Sequence, residues 1–184
     1  SGCVSVPDVS HMIVGTEDRG ERIQECESCT SQLLKLQSDL TENQTSTLDA
    51  DHFQLLTWNV FKEKKNGWEK EFDRISENID LFMIQEACLT DSLKGVFRNE
   101  ALNWVFAPAF RYMGEDVGVL TASNTLGEPV CMERFREPLI RLPKSVLVTR
   151  YPLSVPGESL LVVNVHSINF ALGVETFGDH WAQV

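Results

Sequence analysis

The sequence predicts a mixed α/β fold, and three observations carry that expectation. Two apolar runs, "FQLLTWNVF" from Phe53 and "LFMIQEA" from Leu81, have the length and content of buried strands. Between them, "GWEKEFDRISENID" spaces Trp68, Phe72, Ile75 and Ile79 at helical intervals with charged residues in the gaps. Downstream, a series of strand-like runs is broken by turns such as "TLGEP" and "VPGES".

Taken in order, residues 1–51 read as an acidic polar extension, and residues 52–184 as the folded domain. Within the extension, Leu33, Leu34, Leu36 and Leu40 form a partial apolar stripe that predicts a short helix. "TENQTSTLDAD" then reads as a linker. After the first strand, helix and second strand comes "TDSLKGVFRNEA". Thr90 or Asp91 is its N-cap candidate, and Leu93, Val96 and Phe97 share one side. "NWVFAPAF", "GVLTASN", "PVCMERFRE", "KSVLVTRYPL" and "SLLVVNVHSI" supply five further strands, and "GVETFGDHWAQV" suggests a helix from near Gly173. Strand–helix–strand–helix followed by a meander suits helices covering one sheet that packs on a second.

The net charge is −11, and residues 1–51 hold −7 of it, with ten acidic against three basic side chains. An acidic chain lacks the basic footprint that drives non-specific duplex binding. No apolar run approaches a membrane span, so no transmembrane segment is expected. Arg134, Arg136, Arg141, Lys144 and Arg150 form a basic run, which either faces an anionic substrate or is a solvated sheet face with ion pairs.

Five cysteines stand at positions 3, 26, 29, 88 and 131. Cys26-x-x-Cys29 reads as a local disulfide in an exported protein, as two thiols in a cytosolic one, or as half of a zinc or redox motif that lacks its second half. Cys88 and Cys131 are expected to pack as small hydrophobes. "SGC" at the start looks like the tail of a bacterial lipoprotein signal, which would place a lipid anchor at Cys3 and the protein in the cell envelope; otherwise the bacterial cytoplasm fits. Oligomeric state stays open.

Three polar residues stand where strands end: Asn59 in "LLTWNVF", Glu86 closing "LFMIQE", and His166 after "LLVVNV". Such ends are where function gathers in α/β proteins. A carboxylate holds a hard cation that keeps several waters, an amide orients a ligand oxygen, and an imidazole donates to developing charge. Such a set suits metal-assisted phosphoryl chemistry. Each residue also has a plain structural reading: Asn59 as a strand end or backbone bond, Glu86 as a helix N-terminal charge, His166 as a hydrogen-bonded core histidine.

"TWNV", "DLFMIQEA", "GVLTAS" and "VVNVHSINF", in that order, resemble the endonuclease/exonuclease/phosphatase superfamily, also called DNase-I-like. "REPLIRLPKSVLVTRYPL" and "VVNVHSINFALGVETF" are similar to its bacterial YafD-like branch. The resemblance covers about residues 53 to 184. It implies the N-terminal part of a four-layer αββα sandwich and Mg²⁺- or Mn²⁺-dependent hydrolysis of phosphoesters. By motif, Asn59 helps position metal and phosphate, Glu86 is the metal ligand, and His166 contacts the scissile phosphate. Asn169, in "HSINF", belongs to the branch pattern, either as a substrate-side candidate or as a packing or loop-bonding residue. The superfamily's substrates span nucleic acids, nucleotides and phospholipid head groups.

The D-x-N and S-D-H motifs of that superfamily do not occur before Val184, and Asp179 and His180 sit too close to His166 to replace them. The expectation is therefore a truncated hydrolase, with the 184-residue chain itself inactive. The alternative is a non-catalytic binding or scaffold domain that keeps the fold.

Overall fold

A computed structural model describes residues 4–16, 20–26, 28–36, 46–60, 67–136 and 142–166. Cys3, Arg141, Asn169, Asp179, His180 and the helix expected from Gly173 lie outside the described residues.

The α/β class is as expected. β1 (Val4–Ser5), β2 (His11–Thr16), β3 (Gly20–Glu25) and α1 (Cys29–Lys35) precede β4 (Leu55–Asn59), α2 (Trp68–Ser76), β5 (Leu81–Cys88) and α3 (Asp91–Asn99). β6 (Asn103–Tyr112), β7 (Glu115–Ser123), β8 (Glu128–Arg136), β9 (Pro143–Pro152) and β10 (Ser159–Val165) follow. The larger sheet runs β3-β2-β6-β7-β5-β4, with β1 also on β6; the smaller runs β10-β9-β8.

β4 and β5 are parallel, from Leu55 opposite Leu81 to Asn59 opposite Gln85, because α2 carries the chain back between them. α2 buries Trp68 and Phe72, while its charged residues face solvent. α3 starts at Thr90, whose hydroxyl accepts from Leu93 N at 3.2 Å, and buries Leu93, Val96 and Phe97. Both helices lie on one face of the larger sheet, against Phe82, Ile84, Trp104, Phe106 and Leu120.

The opposite face meets the smaller sheet. Met12, Val14, Val105, Ala107 and Val119 pack there on Met132 and Leu147, and Leu81 packs with Tyr151 and Val162. Polar side chains thread this seam. Thr121 Oγ1 lies 3.3 Å from Thr149 Oγ1, and Ser145 Oγ donates to Ala107 O at 2.8 Å. Burial pushes the Tyr151 phenol's ionisation up, against the lowering effect of hydrogen bonds with Thr121 and Thr149.

Two expectations need correction. Residues 1–51 are not simply a polar extension: β2 pairs with β6, Ile13 opposite Phe106, and buries Met12 and Val14. Leu48 is buried as well. The acidic composition of the whole stretch hid the short run "HMIV", which is enough for one strand because a neighbouring edge completes its hydrogen bonds. The predicted helix is present as α1, but "ERIQE" before it is strand β3.

The cysteines are the second correction. The disulfide joins Cys29 to Cys131, 102 residues apart with Cα atoms 5.2 Å apart, not Cys26 to Cys29. It ties α1 to β8, where Cys29 and Leu36 pack on Val130 and Val148. Cys26 is a thiol, and its Sγ accepts from Met132 N at 3.0 Å. Cys88 is a half-buried thiol beside Phe110 and Val117, as a small hydrophobe would be. Sequence proximity favoured the C-x-x-C pair, but the tertiary approach of α1 to β8 decides the pairing.

Candidate functional site

Glu86 is the pivot. In β5, Phe82 and Ile84 face the helices, and strict alternation would send Glu86 into the same apolar layer. The β5–β7 register shifts between Ile84 and Ala87, and Glu86 takes φ +51°. Ala87 then fills the helix-side position, and the carboxylate is re-aimed to the strand end. A left-handed conformation in a non-glycine residue costs on the order of 1–2 kcal/mol. A bulge with such a residue is a recurring device for directing a side chain at a functional site. It explains how so apolar a strand can carry a carboxylate near its end.

The structure brings Asn59, Glu86 and His166 together. Asn59 Nδ2 donates to Glu86 Oε1 at 3.4 Å, and His166 Nε2 lies 3.3 Å from the same oxygen. The Glu86 and His166 side chains are each 14% exposed, so they are largely shielded without being sealed off. Asn59 reaches this point because β4 runs parallel to β5 and its last residue, Asn59, pairs with Gln85, next to Glu86. His166 follows β10, and its backbone N–H donates to Ser145 O at 3.5 Å, continuing the β9–β10 ladder.

Behind this group stands a pair of amides that sequence reading missed. Asn164 is fully buried; its Nδ2 donates to Leu120 O at 2.8 Å and Ile84 O at 3.2 Å, the carbonyls flanking the bulge. Its Oδ1 accepts from Gln85 Nε2 at 2.8 Å. Asn164 therefore fastens β10, and with it His166, to the bulged part of β5. A signal was available. Period-two alternation puts Asn164 on the face of buried Val162, where an apolar residue is expected. A buried amide there has to be satisfied by specific partners.

Lys144 was read only as part of a basic run. Its Nζ lies 3.1 Å from His166 Nε2 and 3.4 Å from Nδ1. Asn169 cannot be placed, being outside the described residues. Two hollows are present elsewhere, one beside Gly15, Lys94 and Trp104 and one beside Arg22, Arg111 and Asp116. Neither is lined by Asn59, Glu86 or His166.

The chain is similar to the UPF0294 protein of Vibrio campbellii, 37% identical over 137 residues, which is 73% of this chain and 48% of the relative. It is similar to the UPF0294 protein of Klebsiella pneumoniae, 35% identical over 127 residues, 69% of this chain and 48% of the relative. The same holds for that of Yersinia pestis, 36% identical over 130 residues, 70% of this chain and 49% of the relative. The chain thus spans about half the length of the curated relatives it matches. No family model and no solved structure matches it.

These relatives correct the family assignment. They carry the UPF0294 name, and none is named for the endonuclease/exonuclease/phosphatase superfamily or its YafD-like branch. Strand-end motifs of four to nine residues led to the superfamily, and two stretches of 18 and 16 residues to its branch. Buried strands ending in a polar residue recur in many folds, so such strings are weak carriers of descent.

Proposed function

We propose that the site performs divalent-metal-assisted hydrolysis of phosphoesters. The observation that carries this reading is the convergence of an amide and an imidazole on one carboxylate oxygen, held out by a strained bulge. A fold retains such strain where the geometry is put to use.

The donor set fits a hard cation. Among the described residues, no three His, Cys, Asp or Glu side chains gather as a metal-holding cluster, which disfavours a zinc-type site built from protein ligands alone. Glu86 with the Asn59 side-chain oxygen suits Mg²⁺, which binds through one or two carboxylates and keeps several waters; Mn²⁺ accepts the same oxygen donors. When bound, the cation would polarise a phosphoryl oxygen and draw water toward phosphorus. Glu86 anchors that charge at the sheet edge. Asn59 orients an oxygen beside it, and His166 donates to the negative charge that grows on the phosphoryl oxygens. Asn164 and Gln85 tie β10 to β5 across the two sheets so that these groups converge.

Nucleotide, nucleic-acid and phospholipid head-group esters all present this chemistry; the acidic balance weighs against unaided binding of duplex DNA. No described helix is long and apolar enough to cross a membrane. The test is turnover of bis(p-nitrophenyl) phosphate and p-nitrophenyl phosphate by the native full-length protein with Mg²⁺ or Mn²⁺. His166→Ala should lower kcat by about 10²–10³, and Glu86→Ala should raise the Mg²⁺ concentration needed. Turnover indifferent to EDTA and to both substitutions would remove the site from the reaction. Mg²⁺ binding without turnover would instead favour a non-catalytic binding domain.

A further inference from the structure

The basic run between Arg134 and Arg150 does not behave as one patch. Arg150 is committed to Glu128, with Nε 2.8 Å from Oε2. Arg134 reaches back to Ser10, its Nη2 3.4 Å from the hydroxyl. Lys144 goes to the site. It stands at the start of β9, next to Ser145, whose carbonyl receives the His166 backbone N–H. The pairing that delivers His166 therefore delivers Lys144 too. Ser145 Oγ fixes this part of β9 to Ala107 of the other sheet.

His166 Nε2 consequently lies close to both charges, 3.3 Å from Glu86 Oε1 and 3.1 Å from Lys144 Nζ. The site is polarised. Glu86 and Asn59 suit a cation and Lys144 suits an anion, and the imidazole stands beside both Glu86 and Lys144. Lys144 is half-buried, and its ammonium can give charge-assisted hydrogen bonds to the oxygens of an anion. An ammonium is a compact charge with three donors that can serve more than one phosphoryl oxygen.

We infer that Lys144 is a substrate-binding residue: with His166 it forms a cradle for the anionic oxygens of a phosphoryl group next to Glu86. This rests on the phosphoester reading of the same site. It separates Lys144 from Arg134 and Arg150 and gives it a role that an ion pair on a solvated sheet face would not have.

The experiment titrates the native protein with inorganic phosphate, with and without Mg²⁺, and follows the His166 ring signals by NMR. Wild type should show saturable shifts. Lys144→Met should weaken phosphate binding about tenfold or more, the loss expected for one charge-assisted hydrogen bond. Lys144→Arg, which keeps the charge, should recover most of it. Lys144→Gln repeats the neutral test should the Met variant disturb β9. Unchanged phosphate affinity in the neutral variants would overturn the role of Lys144 and leave the phosphoester site standing. Absence of any phosphate-dependent shift in wild type, with and without Mg²⁺, would overturn both.

Discussion

On one face of the larger sheet, Phe82, Ile84, Phe106 and Leu120 meet α2 and α3 almost entirely through carbon. The ring of Phe72 lies 5.2 Å from Phe82, 5.9 Å from Phe97 and 6.4 Å from Trp58, between centroids. On the other face, apolar contacts share the seam with Thr121, Ser145, Thr149, Tyr151 and Asn164, all buried. The first face gains stability in proportion to area removed from water and tolerates small shifts. The second is directional. Each hydroxyl or amide stabilises only with its partner in place, and that requirement locks the offset between the two sheets. The candidate site draws residues from both sheets, so it depends on the directional face.

Substitutions can break or sharpen this contrast. The largest effect is expected on the carbon face: Phe72→Ala removes a fully buried ring and should cost about 3–5 kcal/mol, read from urea unfolding. Phosphate binding measured well below the unfolding midpoint should survive, because the ring partners of Phe72 are Trp58, Phe82 and Phe97 rather than site residues. Loss of binding in a still-folded variant would show that the two faces are coupled. On the seam, Asn164→Ala strips the Ile84 and Leu120 carbonyls and Gln85 of a partner. It should cost about 2–3 kcal/mol and also weaken phosphate binding, since β10 carries His166. A stability loss with binding intact would deny the seam its positioning role. The smallest effect has the opposite sign. Glu86→Gly relieves the φ of +51° and should leave stability unchanged or raise it by up to about 1 kcal/mol, while Mg²⁺ binding by calorimetry falls. A clear loss of stability would mean that the carboxylate's contacts outweigh the strain of its backbone.

The helix-facing layer was legible because its signal is local. Trp68 and Phe72 on α2, and Leu93, Val96 and Phe97 on α3, repeat at the period of a helix, and burial follows from that pattern. Asn59, Glu86 and His166 were legible for a related reason: a polar residue closing an apolar run stands out. Asn164 and Gln85 were passed over because an amide within a strand gives no hint of which distant carbonyl it will meet. β2 was hidden by averaging over an acidic stretch.

By itself, then, the sequence determined the strand and helix periods from Leu55 to Val165, a helix start at Thr90 or Asp91, and the three residue types that meet at the site. These depend on contacts within a few residues and on alternation along one strand. Only the tertiary structure decided the Cys29–Cys131 bridge, the addition of β2 at the edge of β6, the bulge that turns Glu86 outward, and the delivery of Lys144 to His166. Each joins segments far apart in the chain or settles which way a side chain turns when two strands fall out of step. Their free energy exists only once both partners are packed, so no local pattern encodes it.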